Sequence, residues 1–308
     1  MKFQLSPEQR QFSASLHDFL AGADTAAVAR SWAAGDHDRG LKLWRGLAEL
    51  GVPALLVDEE HGGLGGTPVD AVVAFEALGY HAVPGPLVET AVVAPSVLTG
   101  DRLTALAEGD LLATAVAPPE VPLALDADVA GVVFDLTAGE ITGPEIEPVR
   151  SIDPARRLFR VTGTTQGTAT PAAFDRGVLA VAAQLLGAGQ WLLDTSVAYA
   201  KQRHQYGRAI GEYQAVKHLL ADVVTQLELA RPLLYGAALA GEKTFARDVS
   251  AAKVMASGAA HLAARTALQV HGAIGYTAEH DLGLRLTKVR ALAGAWGTGS
   301  FHRARVLR

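Results

Sequence analysis

The 308-residue chain has no cysteine, which excludes disulfides and thiolate metal sites and fits a reducing compartment. Basic excess is missing too: 27 Lys and Arg stand against 32 Asp and Glu, a net charge of −5. Nothing therefore points to nucleic acid as a partner. Aromatic residues reach only 6% while hydrophobic ones make up 49%, a balance that favours helices packed on small side chains. The opening MKFQLSPEQRQF holds charges and no apolar run of signal-peptide length. No uncharged window reaches the roughly 18 apolar residues of a membrane span, so the chain reads as cytoplasmic. No Asp or Glu follows Asp281. The glycine-flanked stretch LAGAWGTGSF, residues 292–301, thus holds nothing able to move a proton.

Common chemical signatures are also absent. The glycine clusters at 62–66, 187–189 and 294–299 do not form G-x-G-x-x-G after a strand, and there is no Walker A lysine, G-x-S-x-G or H-E-x-x-H. His271 and His280 lie nine residues apart across a loop. They read as surface or loop-capping histidines, so no metal site is expected.

What is present divides into three textures, together a mostly α chain with a small β insert. Residues 1–110 read as an N-terminal helical domain. Ser6, Pro7 and Glu8 open one helix, 41–50 and 70–78 form others, and GVPALLVDEEHGGLGGT makes a glycine-rich loop between them. Residues 111–167 carry β-branched runs cut by prolines, which predicts a few short strands. Residues 168–308 read as a helical bundle, with long helices near 176–202, 213–240, 247–270 and 279–292 and a kink at Pro232.

Two segments of that bundle stand out. KQRHQYGRAIGEYQAVKHLLAD, residues 201–222, and QVHGAIGYTAEHDLGLRLTK, residues 269–288, each place a cation, amides or backbone N–H groups at a glycine-marked helix junction. That arrangement suits a phosphate. It equally fits glycines that end helices beside a solvated arginine.

Order and spacing add to this. Arg203, Tyr206, Gly207 and Gln214, followed by Gln269, Gly272 and Ala273, resemble the Arg-x-x-aromatic-Gly segment and later Gln-x-x-Gly-Gly turn of the acyl-CoA dehydrogenase family. LSPEQRQF, VDEEHGGLGG and FEALGY resemble its N-terminal part. The resemblance implies a helical domain, a middle β-domain and a C-terminal four-helix bundle. It also implies FAD and the α,β-dehydrogenation of an acyl-CoA thioester, with a glutamate taking the α proton. In that frame Arg203, Tyr206, Gln214, Gln269 and Gly272 are cofactor-binding residues for the adenine and pyrophosphate half of an FAD shared across a subunit interface. Thr298 would join them from beside the glutamate position.

The resemblance breaks at the base. Trp296 occupies the family's glutamate position and Gly177 the alternative one, and an indole has no basic lone pair. Asp175 and Glu279 are the nearest carboxylates in sequence, both at helix starts where acids commonly cap. The stretch ATAVAPPEVPLALDAD replaces the family's flavin-contacting segment, so an isoalloxazine ring is not expected on this chain's own β-domain. This pattern resembles the base-less smaller subunit of the α2β2 enzymes of actinobacterial steroid side-chain degradation, whose catalytic partner subunit supplies the base. Two alternatives remain open: a self-sufficient homo-oligomeric dehydrogenase or dehydratase with a relocated base, and a cofactor-free scaffold.

Overall fold

A computed structural model describes residues 4–277 and 280–307. Helices dominate, with one small sheet between them. The chain opens with α1 (Pro7–Ala21), α2 (Thr25–Ala33), α3 (Asp38–Glu49) and α4 (Pro68–Tyr80), then a π-helical stretch Glu89–Val93 and α5 (Asp101–Ala107). The start of α1 is as predicted: Ser6 accepts from the Gln9 N–H and the Gln9 side chain accepts from the Ser6 N–H, a reciprocal cap. Thr67 and Asp70 repeat the device at α4, and Gln9 Nε2 donates to Asp70, tying the two helix starts together. Helix α2 escapes the sequence reading. It is short, and its Asp24 cap sits at a left-handed φ of 43°.

Five strands follow, β1 (Ala113–Val116), β2 (Ala124–Leu125), β3 (Val132–Asp135), β4 (Gly139–Val149) and β5 (Leu158–Gln166). They form one sheet in the order β1-β3-β4-β5-β2, parallel between β1 and β3 and antiparallel elsewhere. The sheet has a small core of its own around Val116, Val133, Ile141 and Phe159. The main core runs continuously through the N-terminal helices and the bundle.

The bundle begins with α6 (Ala172–Gln202). A two-strand hairpin, β6 (His204–Gln205) and β7 (Arg208–Ala209), leads into α7 (Gln214–Ala238), α8 (Glu242–His271), α9 (Leu282–Gly294) and α10 (Gly299–Val306). Helix α6 is apolar and long enough to cross a bilayer, yet 83% of its most apolar window is buried inside the fold. It is the central core helix, pressed against α4 at two glycines. A Cβ on Gly79 would lie 2.2 Å from the Gln184 carbonyl oxygen, and one on Gly187 1.9 Å from that of Glu76. Helices α6 and α8 run parallel: a Cβ on Gly189 would meet Ala260, and one helix end later the Tyr199 and His271 rings stack at 4.4 Å. Helix α7 continues through Pro232, pinned to α4 by Arg231 and Tyr235, which both donate to the Glu76 carboxylate at 2.8 and 2.9 Å.

Candidate functional site

The Trp296 turn joins α9 to α10. Trp296 has φ +56° and Gly297 +97°, a left-handed pair that is costly for a bulky side chain unless its surroundings enforce it. Here they do. The Lys253 ammonium, buried on α8, donates to the Leu292 and Ala293 carbonyls at 3.0 and 3.2 Å and ends α9. His302 Nε2–H donates to the Trp296 carbonyl at 2.8 Å while its Nδ1 faces the Ser250 hydroxyl at 3.1 Å. Burial lowers the His302 pKa to about 4, so the ring stays neutral and its tautomer is set by these partners. Arg305 completes the support, donating to Ser250 at 3.1 Å and to both Asp175 oxygens at 2.6 and 3.0 Å.

The turn aims the indole at Gly177. A Cβ added there would lie 2.5 Å from the indole carbons, so the two positions at which the resemblance would seek a base are one place in space. The indole fills it. Trp296 is 2% exposed and packs on Phe174 at 5.6 Å between centroids. Asp175 is no free base either, because Arg305 occupies both its oxygens. Glu279 lies outside the described residues.

The carboxyl that does reach this place was not singled out in the sequence. Trp296 Nε1–H donates to Glu89 Oε1 at 3.2 Å, and Glu89, only 3% exposed, lies on the π-helical stretch, a distortion common at functional sites. Burial pushes its pKa up against the opposing pull of Arg156. Its Oε2 has no partner among the described residues. A signal existed: Glu89 is the one charge in AVPGPLVETAVVAPSVL, residues 82–98.

Glu89, Trp296 and Thr298 line a cleft of about 790 Å³ between sheet, α8 and the C-terminal turn. The Thr298 hydroxyl caps α10, accepting from the Phe301 N–H at 3.3 Å. Arg150, Arg156, Arg290 and Arg303 also line the cleft. No ion pair involves any of the four among the described residues.

The other site residues gather at the far end of the bundle. Arg203 ends α6, and the hairpin turns at Tyr206 and Gly207 with φ +52° and +85°, the two left-handed positions that a tight hairpin requires. Tyr206 is 93% exposed. Gln214 starts α7, and Gln269 lies in the last turn of α8 before Gly272 at φ +62°. The Tyr199–His271 stack holds these two junctions side by side. His271 is therefore a core residue and not the surface group expected from sequence: it is 4% exposed, with its Nδ1 against the Ala267 carbonyl. His280 does cap its loop, accepting from the Leu282 N–H at 3.1 Å. Among the described residues no cluster of His, Asp and Glu could hold a metal.

These residues fit the phosphate half of a dinucleotide. An arginine, two glutamine amides and the N-terminus of a 25-residue helix face outward together at the bundle's end, the amides and guanidinium exposed. Thr298 stands apart, with Trp296 and Gly177. From Gly177 to Arg203 is 26 helical residues, about 39 Å. The α8 wall of the cleft ends at His261, eight residues and about 12 Å short of Gln269.

The fold and this arrangement define a class. Residues 6–100 match the N-terminal domain of acyl-CoA dehydrogenases and residues 167–308 the C-terminal domain. The chain is 34% identical over 299 residues to the acyl-CoA dehydrogenase IpdE2 of Mycobacterium tuberculosis, covering 93% of this chain and 92% of that protein. It is 31% identical to the acyl-CoA dehydrogenase FadE34 of the same organism, covering 90% of this chain but 44% of FadE34. Its fold matches a solved Tcur3481–Tcur3483 steroid ACAD variant with a TM-score of 0.85 at 22% identity, over 97% of this chain and 96% of that one. The chain belongs to the acyl-CoA dehydrogenase family and is an FAD-dependent oxidoreductase by that membership.

Proposed function

We propose that the chain is the base-less subunit of an α2β2 acyl-CoA dehydrogenase and completes the FAD site of a catalytic partner subunit. The family's reaction needs a hydride acceptor, which FAD supplies, and a carboxylate base. This chain has an indole where the base would be.

The separation of the two sites carries the reading. A pyrophosphate held at Arg203 stands about 39 Å along α6 from this chain's own Trp296 and Gly177. A five-carbon ribityl arm cannot span that distance, so the ring attached to it would not stand beside this chain's own Trp296 and Gly177. Arg203 would pair with the pyrophosphate, Tyr206 pack on the cofactor, and Gln214, Gln269 and Gly272 bond the adenosine diphosphate portion. Thr298 would touch only a cofactor reaching this chain's own cleft. FadE34 supports pairing in another way: this chain matches less than half of it, which leaves room there for a second unit of similar size. The two-part name of the Tcur3481–Tcur3483 steroid ACAD, which shares this fold, is in keeping with such a pair, and a bulky, steroid-derived acyl group is the substrate class proposed by likeness to it.

The test is to purify the chain alone and together with a candidate dehydrogenase partner, and to record mass and flavin absorbance. The reading expects a colourless single chain and a yellow α2β2 pair with two FAD, and expects Arg203→Ala in this chain to lower FAD occupancy of the pair. A yellow homotetramer with one FAD per chain would overturn it. One observation favours such a self-sufficient enzyme, the Glu89 carboxyl in the cleft. Burial shifts it towards the neutral acid, the form that donates a hydrogen bond rather than accepting a proton.

A further inference from the structure

A second cavity lies where α1, α4, α6 and α7 meet. It holds about 330 Å³, within the range of small-molecule sites. Ser13 and His17 line one wall, Glu76 and Tyr80 the next, and Glu228 and Pro232 stand opposite on α7. Gly187, another of its lining residues, is ten residues and about 15 Å along α6 from Gly177. The donors of this cavity are already spent on its own surroundings. Arg231 donates to Glu76 at 2.8 Å and to Gln190 at 3.3 Å, and Tyr235 donates to the other Glu76 oxygen at 2.9 Å. The Tyr80 hydroxyl and the Gln190 amide both donate to Asp194, at 3.1 and 2.9 Å. Arg10 donates to the carbonyl of Leu5, which also lines the cavity, at 2.6 Å.

The acceptors are left open. Pro232 has no N–H, so the Glu228 carbonyl lacks the bond that an uninterrupted helix would give it. The Glu228 side chain is 63% exposed and meets Arg231 Nε only at 3.6 Å, too far for a hydrogen bond. His17 is held through Nδ1, which faces His81 Nε2 at 3.0 Å. Burial lowers the pKa of both rings, so the pair is neutral at pH 7 and His17 Nε2 offers a lone pair when Nδ1 carries the proton. Among the charges acting on the lining groups, Asp18, Glu76, Asp194 and Glu228 outnumber Arg10, Arg231 and Arg285. Arg285 is moreover turned to the Trp191 ring, 4.1 Å from its centroid. Walls with spare acceptors and no spare donor suit a guest with the opposite endowment. An ammonium brings three N–H donors and no acceptor, whereas an alcohol or amide brings an acceptor for which no donor remains. We propose that this cavity binds an aliphatic diamine or polyamine, one ammonium held by the Glu228 carbonyl and carboxylate at the mouth and a second by His17 and Ser13. A guest so placed ties α1 of the N-terminal helices to α7 of the bundle. The inference does not rest on the shared-cofactor reading, which concerns the hairpin end of α6.

The test uses the full-length chain in whatever assembly it forms, and isothermal titration at fixed ionic strength with 1,4-diaminobutane, spermidine and 1,4-butanediol. Both amines should bind saturably, one per chain, and the diol should not. Glu228→Gln keeps the shape and the carbonyl but removes the charge, and should weaken amine binding about tenfold. Pro232→Ala gives the Glu228 carbonyl a helical N–H and so withdraws it from the guest. It should weaken binding about threefold without lowering Tm, because alanine suits a helix interior better than proline. Weaker binding in a protein no less stable is not imitated by damage to the fold. Glu49→Gln, an exposed glutamate on α3, should leave binding unchanged, which separates the cavity from general attraction of polyamines to a chain of net charge −5. Absence of saturable binding by both amines overturns the proposal, as does amine binding that Glu228→Gln leaves intact or a diol that binds as tightly as the diamine. FAD occupancy of the Arg203→Ala variant is a separate measurement, so failure here and failure of the shared-cofactor reading are told apart.

Discussion

Gly177→Ala tests whether the two vacant base positions are one place. In a helix interior, alanine in place of glycine adds about 0.5–1 kcal/mol of stability, and Gly177 lies inside α6 with ordinary helical φ. Against that gain, the new methyl would lie 2.5, 2.5 and 2.7 Å from three indole carbons of Trp296, an overlap that typically costs about 1–3 kcal/mol. The turn cannot retreat easily, since His302 and Lys253 hold it from behind. The net expectation is destabilisation by roughly 0.5–2 kcal/mol, a fall in Tm of a few degrees at most for a chain this long. The informative variant is the same change in a Trp296→Ala background. Trp296→Ala alone should cost about 3–5 kcal/mol, because it empties a buried site and deprives Glu89 of the indole donor. On top of it, Gly177→Ala should become stabilising. A cycle of the four proteins by urea unfolding should therefore give a coupling energy of about 1–3 kcal/mol. If Gly177→Ala has the same effect with and without the indole, the two positions are not in contact and the account of this site is wrong.

Gly187→Ala should prevent accumulation of folded protein, since its methyl would meet the α4 backbone, which has no rotamer to change; soluble yield and circular dichroism check this. The native chain should lose stability as pH falls from about 6.5 towards about 4. Over that window the unfolded state binds a proton at His302 that the folded state refuses. His302→Gln should reduce the slope over that window, with His81, also lowered to about 4, supplying part of what remains, and should lower stability near neutrality by about 1–3 kcal/mol through the weakened partner of the Trp296 carbonyl.

The fold was legible where a residue type has one structural use. Ser6-Pro7 opened α1 as expected, and the proline-cut β-branched run became the sheet between α5 and α6. Helix α7 runs through Pro232, as the expected span of 213–240 required, with Arg231 and Tyr235 fastened to Glu76. The site was half legible. Arg203 and Gln269 could be paired by motif order, but their meeting at one end of the bundle depends on α6 and α8 running parallel, which no local pattern states. Glu89 was missed because a lone carboxylate in an apolar run has no spacing to match. Only the Trp296 turn, 207 residues later in sequence, gives it a partner.

The same geometry is what the proposed function requires of a chain that would keep half of a cofactor site and lose the other half. Effects at sites separated by more than about 7–10 Å with no common partner usually add independently, and Gly177 and Arg203 are separated by several times that. Filling the base position with an indole therefore imposes no strain on the hairpin at Tyr206 and Gly207. Keeping an arginine at the far end likewise demands nothing of the cleft. What Trp296 does change is local: it exchanges a polar position for a large buried apolar surface, worth about 25 cal/mol per Å². It also supplies the N–H that Glu89 uses. Stability at this end of α6 and the proposed cofactor contact at the other would then be separate properties of a single rigid helix, so a substitution at one end is not read at the other.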